Sequence, residues 1–197
     1  MQGLPKHYTK AESLHLLKKN EKKLLIKVPK LIYFTKKAYL DNPDNIFNKI
    51  KTIFKKKRII IRSSSLLEDG PNQSLAGKFK SFDNLLVEKK TIHKHVNKVI
   101  SDFKNKDDQI IIQEFISKVD LSGVIFTRNI NNNSPYYVIN FDKSGFTNLV
   151  TSGSSNPLMQ TITIKRHNKG SYKFFNRELK SIKKIETLFK NDRLDIE

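Results

Sequence analysis

The chain has 197 residues, enough for one large or two small domains, and it contains no cysteine, which excludes disulfides and thiolate metal sites. No apolar run approaches membrane-spanning length, and the N-terminus has no signal-peptide pattern, so a soluble cytoplasmic protein is expected. The net charge of +19 raises nucleic-acid binding as a rival function. However, the lysines are spread along almost the whole sequence, which is typical of solvated surfaces.

Helical and strand patterns alternate in the first part of the chain. Apolar positions at helical spacing predict a helix over residues 9–23, with Thr9 as its N-cap and Glu12 completing a capping box. Lys10 lies at the start of this helix and is read from the residues alone as a solvated surface charge. A buried strand, a short helix and an amphipathic helix are predicted next, at residues 31–35, 36–41 and 44–57.

The stretch from Arg62 to Phe82, RSSSLLEDGPNQSLAGKFKSF, carries the clearest chemical signal. It follows the apolar run 58–61, which predicts a buried strand because β-branched residues suit an enclosed pleated surface. An arginine at the mouth of this strand and the small-residue step Ala76-Gly77 are suited to polyphosphate. A guanidinium offers a planar fork of donors, and glycine lets backbone N–H groups approach an anion. The competing interpretation is an ordinary strand followed by a polar surface loop.

The rest of the chain predicts further strands and two helices. His93 and His95 lie two residues apart on the first of these helices and are interpreted as surface histidines. The polar run 104–108 predicts a boundary between subdomains. The strands are predicted at residues 82–87, 109–117, 122–129, 136–141 and 159–166, and the helices at residues 91–103 and 178–190.

The Arg62–Phe82 stretch resembles the nucleotide-binding signature of the phosphoenolpyruvate synthase and pyruvate phosphate dikinase family, approximately RSSA-x-x-ED-x-P-x-x-S-(F)-AG-x-x-x-(T/S)-(F). Ser65 and Leu75 are small departures from it. A second segment, SGVIFTRN at residues 122–129, resembles the family's (A/S)GV-x-FT-x-(D/N). The matching positions of the first signature are Arg62, Ser63, Ser64, Glu68, Asp69, Pro71, Ser74, Ala76, Gly77, Ser81 and Phe82.

The resemblance implies a mixed α+β fold of the ATP-grasp type, in which two subdomains bind MgATP between them. Residues 1–105 would form the N-terminal subdomain with the phosphate loop. Residues 106–197 would form the second subdomain, with an adenine-side strand and the start of a metal-binding segment. The cofactors implied are therefore ATP and Mg²⁺.

The resemblance also implies roles for individual residues. Arg62 would be the catalytic residue that neutralises the charge of the transferring phosphoryl group, and Ser81 would donate a hydroxyl. Lys10 aligns by position with a lysine that reaches the ATP phosphates, although the glycines beside it in the family's GGKG-like segment are replaced here. The loop residues that would cover the phosphates are Ser74, Ala76 and Gly77.

Two further segments are assigned through the resemblance. Gln113 and Glu114 end a strand similar to the family's VxVQ-x-(M/F)-(V/I) segment, which lies along the adenine; the alternative is that Gln113 merely ends a core strand. Glu197 matches the glutamate of the family's DIEWA segment, which binds Mg²⁺. The family's glycine-rich GLGE segment has lost its acidic residue, since Thr147-Asn148 stand there.

The implied function is phosphoryl transfer from MgATP to a small acceptor, such as pyruvate or the amide of glutamine, through a phosphohistidine on a swivelling domain. Neither that domain nor the family's Q-x-RP strand is present in the sequence, so we expect a fragment of a longer enzyme or a split gene, inactive in isolation. Two alternatives stay open: a non-catalytic regulatory scaffold of the same fold, and a basic nucleic-acid-binding protein.

Overall fold

The computed structural model describes residues 8–65, 80–145, 159–166 and 175–197. They fall into two compact units, the first within His7–Glu21 and Lys27–Phe115 and the second within Lys22–Ile26 and Ile116–Glu197. Each unit contains an antiparallel four-stranded sheet with helices, so the fold is mixed α+β, as predicted. Within these described residues no helix has both the length and the apolar character needed to cross a membrane.

The first unit is built around a sheet with the strand order β1-β4-β2-β3, in which every neighbouring pair is antiparallel. This sheet continues past residue 105, because the strand after that position lies at its centre. The elements described up to residue 115 are α1 (Lys10–Lys19), α2 (Glu21–Leu24), β1 (Leu31–Thr35), α3 (Lys36–Asp41), α4 (Pro43–Phe54), β2 (Ile59–Ser64), β3 (Ser81–Leu85), α5 (Lys89–Ile100) and β4 (Gln109–Glu114). All of them belong to the first unit except α2, most of which belongs to the second.

One face of this sheet forms the core of the first unit with α4 and α5. The apolar residues of α4 recur at helical spacing, and Ile50 and Phe54 are fully buried. They belong to the same cluster as Ile61 of β2 and Ile112 of β4, whose side chains lie on this face of the sheet. Because apolar side chains pack this face, a binding site on the sheet is expected on the opposite face.

The second unit contains a sheet with the strand order β7-β6-β5-β8, also antiparallel throughout. Leu179 and Ile182 of its helix pack against Tyr137, Ile139 and Phe141 of the central strand. The strands predicted at residues 122–129 and 136–141 are present and pair with each other in antiparallel fashion. The elements described after residue 115 are β5 (Ser122–Phe126), β6 (Tyr136–Asp142), β7 (Gln160–Lys165), α6 (Asn176–Phe189) and β8 (Asp195–Ile196).

The prediction that the two histidines of α5 are surface residues is only partly right, because both are half-buried. His93 lies beside the rings of Tyr39 and Phe47, and its Nδ1 is 2.9 Å from the Tyr39 hydroxyl oxygen. His95 packs edge-on against Phe82, with ring centroids 4.8 Å apart. Their spacing alone could not reveal this, because the aromatic partners come from other elements.

Candidate functional site

Arg62 lies inside β2 rather than beyond its end, which corrects the prediction that it stands at the mouth of the strand. It pairs with Ser81 of β3 on one side and with Ile111 of β4 on the other, and Ile111 in turn pairs with Tyr33 of β1. Directly paired residues in antiparallel strands project to the same face. Arg62 and Ser81 therefore share the sheet face opposite α4 and α5.

Helix α1 lies on this face. The backbone N–H of Ala11 donates to Ser64 Oγ at 2.9 Å, and the Thr9 hydroxyl donates to Gln109 Oε1 at 2.7 Å. Ser64 and Gln109 are directly paired on β2 and β4, so both contacts lie in one row of the sheet. Lys10, next to Ala11 in sequence, is thereby held near Ser64, which lies two residues along β2 from Arg62.

In the first turn of α1, the backbone N–H groups of Ala11, Glu12 and Ser13 donate to other groups of the protein. The predicted capping box is present, because Glu12 N–H donates to Thr9 Oγ1 at 3.1 Å and Thr9 N–H donates to Glu12 Oε2 at 3.0 Å. The cationic residues nearest this end of the face are Lys10 of α1 and Arg62 of β2, both of them half-buried. The predicted helix over residues 9–23 ends earlier, at Lys19, with Asn20 as its C-cap.

The three serines after Arg62 are held by the fold. Ser63 lies buried on the packed face, and Ser64 accepts the N–H of α1 described above. Ser65 donates to Asp108 Oδ1 at 2.6 Å, while Asp108 Oδ2 accepts the backbone N–H of Asn105. The end of β2 is thus fixed immediately before the predicted phosphate loop. That loop, with Ser74, Ala76 and Gly77, lies outside the residues that the structure describes.

Gln113 lies on the same face as Arg62, between Leu31 of β1 and Ile60 of β2. It is only 9% exposed, yet its side-chain amide makes no hydrogen bond to any residue that the structure describes. Its amide still reaches solvent, because His93 Nε2 is the one fully buried side-chain polar atom without a partner in the described ranges, so a bound group can take the place of water at this amide.

The structure separates Glu114 from this group. Its register with Ile59 places it on the packed face, and its carboxylate accepts from Lys57 Nζ at 2.5 Å. Its backbone N–H donates to the Lys30 carbonyl at 2.8 Å. The structure therefore brings Lys10, Arg62, Ser81 and Gln113 to one face and leaves the Glu114 carboxylate on the other.

Glu197 belongs to the second unit, directly after β8. Ile196 pairs with Ile125 of β5, and extending that register by one residue places Glu197 beside Val124, on the sheet face opposite α6. No cluster of three or more His, Cys, Asp or Glu side chains that could hold a metal occurs in the described ranges. A metal at Glu197 would therefore take other ligands from phosphate oxygens and water, as Mg²⁺ commonly does.

The segment before Glu197 is held by contacts to Thr127 and Arg128, directly after β5, that the sequence did not reveal. The Thr127 hydroxyl donates to the Asp192 carbonyl at 2.8 Å and accepts the N–H of Leu194 at 2.7 Å. Arg128 Nη2 donates to Asp192 Oδ2 at 2.6 Å, and this hydrogen bond lowers the pKa of Asp192 and raises the pKa of Arg128. Both contacts fix the direction in which the chain leaves toward Glu197.

We expect Ser64→Ala to destabilise the first unit by about 1–3 kcal/mol, because it leaves the buried N–H of Ala11 without an acceptor. Chemical denaturation followed by circular dichroism measures the change. The matched control is Ser101→Ala, since the exposed Ser101 hydroxyl bonds only within its own turn. Equal stability of the two variants would show that α1 is not held by Ser64.

Residues 41–109 match the family model described as pyruvate phosphate dikinase, AMP/ATP-binding domain. The match confirms the resemblance inferred from the Arg62–Phe82 signature, which lies wholly within it. It covers about a third of the chain. Lys10, Gln113, Glu114 and Glu197 lie outside the matched segment, and the roles of all the site residues, inside it or outside, stay predictions. No curated protein matches the chain.

Proposed function

We propose, from the match of residues 41–109 to an AMP/ATP-binding domain, that the face of the first sheet carrying Arg62 binds the phosphates of MgATP. The observation that carries this proposal is that α1, which begins at Lys10, packs on the same sheet face that carries Arg62. Lys10 arrives there on α1 and Arg62 on β2, from positions 52 residues apart in sequence.

The arrangement suits a polyphosphate on electrostatic grounds. Attraction between opposite charges strengthens where water is partly excluded, and both cations are half-buried. Arg62 offers a planar fork of donors for a phosphoryl group, while Lys10 offers a compact charge. Ser81, paired with Arg62 across β2 and β3, is exposed and can add a hydroxyl donor.

Gln113 supplies a polar contact two positions along β4 from the row that contains Arg62. Its amide offers both a donor and an acceptor, which is the combination that the edge of an adenine presents. Leu31 and Ile60 flank it with apolar side chains that can pack against the faces of a ring. We therefore place the base toward Gln113 and the phosphates toward Arg62 and Lys10.

The remainder of the proposal rests on the family resemblance. Glu197 would hold Mg²⁺, which when bound neutralises phosphate charge. The phosphoryl group would pass to a histidine on another domain and from there to a small acceptor such as pyruvate or a glutamine amide. In such a reaction the protein acts mainly by positioning the phosphates and stabilising their charge, and these are the roles assigned to Arg62, Lys10 and Ser81.

Isothermal titration of the intact chain with MgATP tests the proposal. Arg62→Ala should raise the Kd at least about tenfold, because hydrogen bonds to charged groups contribute about 1.5–3 kcal/mol. The matched control is Arg58→Ala, which removes the same charge one residue before β2. Arg58 is exposed and its Nη1 bonds the Asn84 carbonyl at 3.0 Å, so this variant should bind within twofold of the wild type.

Two results would contradict the proposal. Unchanged affinity in a folded Arg62→Ala variant would remove this face as the phosphate site. No heat of binding from the wild-type chain at millimolar MgATP would favour the non-catalytic scaffold. In that case, a salt-sensitive mobility shift with nucleic acid would favour the basic nucleic-acid-binding alternative.

A further inference from the structure

A second candidate binding site lies within the second unit, beside the C-terminal end of α6. It is a cavity of about 590 Å³, a size that is common for small-molecule sites. Four of its lining side chains are cationic and two are acidic, and the rest are polar or aromatic. The lining residues are Tyr137, Arg166, Lys183, Glu186, Thr187, Lys190, Asn191, Asp192 and Arg193.

Arg166 is held rigidly in the wall of this cavity. Its Nη1 donates to Glu186 Oε1 at 2.5 Å and to the Thr127 carbonyl at 2.6 Å, and its guanidinium lies 4.7 Å from the centre of the Tyr137 ring. An arginine has five N–H donors, and these bonds use only those on Nη1. The donors on Nε and Nη2 make no hydrogen bond within the described part of the chain, so they remain for a ligand.

The two carboxylates of the cavity are already engaged. Glu186 accepts from Arg166 and from the Tyr137 hydroxyl at 3.2 Å. Burial, together with the nearby Glu186 carboxylate, raises the pKa of Tyr137 to about 12, so the phenol stays protonated and continues to donate. Asp192 accepts two hydrogen bonds from Arg128, at 3.0 and 2.6 Å.

The other three cations of the lining, Lys183, Lys190 and Arg193, form no ion pair with any described residue. The lining therefore has a net charge of +2, from four basic and two acidic side chains. The C-terminal end of α6 adds a partial negative charge of about half a unit, which is smaller than this excess. The cavity thus favours an anion.

We propose that this cavity binds a small phosphate-bearing anion, with Arg166 as the rigid donor and Lys183, Lys190 and Arg193 as the surrounding charges. Phosphate fits this set because its oxygens accept from a guanidinium fork and from several ammonium groups at once. Every residue of this cavity belongs to the second unit, whereas the residues of the proposed nucleotide face belong to the first.

The test is a titration of the intact chain with inorganic phosphate, with ionic strength held constant by sodium chloride, followed by amide chemical shifts. We expect saturable shifts at residues 187–193. The double variant Lys183→Ala/Arg193→Ala should raise the phosphate Kd at least about tenfold, because it removes two charge-assisted contacts. The matched control, Arg177→Ala/Lys180→Ala, removes two charges from α6 at positions outside the cavity. Its phosphate Kd should stay within twofold of the wild-type value.

Three outcomes would overturn the proposal: no saturable shift at residues 187–193, shifts spread over the whole surface, or equal weakening in both double variants. A parallel titration of Arg62→Ala should give the wild-type phosphate Kd. This titration distinguishes the two proposals, because Arg62→Ala should lose ATP binding but keep phosphate binding in the cavity. Tighter binding of methyl phosphate than of inorganic phosphate would identify the ligand as a phosphomonoester and would equally support the site.

Discussion

Replacing Glu186 with alanine should lower the free energy of unfolding of the second unit by about 3–5 kcal/mol, because breaking a buried ion pair leaves its partner charge uncompensated. The partner is Arg166, whose side chain is only 12% exposed and whose Nη1 donates to Glu186. The hydroxyl of the buried Tyr137 would lose its acceptor in the same change. Two buried donors are therefore left unsatisfied by one substitution.

Native-state hydrogen exchange measures this loss within each unit. The amide of Ile139, in the central strand β6, reports on the second unit, and the amide of Ile111 in β4 serves as the reference in the first unit. The control is Glu178→Ala, which removes an exposed carboxylate from the first turn of the same helix. If the Ile139 amide exchanges equally slowly in the two variants, the ion pair between Glu186 and Arg166 contributes little to the stability of the second unit.

A paired substitution isolates the charge from the packing. Replacing Arg166 with methionine and Glu186 with leucine together should recover much of the stability, because apolar groups of similar volume often replace a buried ion pair without loss. The same double variant should no longer bind phosphate in the α6 cavity. Compared with Glu186→Ala, the double variant would then be more stable but would bind phosphate more weakly. A purely structural role for Arg166 would not produce this combination.

Much of the local structure could be predicted from sequence, because it depends on short-range patterns. The apolar spacing of α4, with Ile46, Phe47, Ile50 and Phe54, directly indicates the face that is buried in the core. Likewise, the Thr9 capping box needs only residues three apart, and it is present. Such features are set by the periodicity of one element and require no knowledge of its neighbours.

The contacts that build the candidate site could not be predicted in this way. Thr9 and Gln109, which fix α1 on the sheet, lie 100 residues apart in sequence. Arg62 lies inside its strand because β3 and β4 both pair with it, and the local sequence shows neither partner. The motif therefore predicts a role for Arg62, while the setting of its side chain depends on long-range pairing.

The same distinction applies to the second segment that resembles the family. From the sequence, Gly123 indicates a close approach of backbone, without showing what approaches. In the structure the neighbour is β6: a Cβ at position 123 would lie 2.4 Å from the carbonyl oxygen of Asn140 and 3.1 Å from Phe141 Cα. The glycine of this segment is thus required by the packing of the second sheet, whether or not a ligand binds there.

Gly123→Val should therefore destabilise the second unit by about 3 kcal/mol or more, since β5 and β6 must separate to admit the side chain. The contact is with backbone, so no side-chain rotation can relieve it. Protection of the Ile139 amide is again the measurement, and Ile125→Val, in the same strand, is the control with an expected cost of about 0.5–1.5 kcal/mol. If Gly123→Val costs no more than Ile125→Val, the two strands accept a Cβ at this position, and the close contact does not explain the glycine.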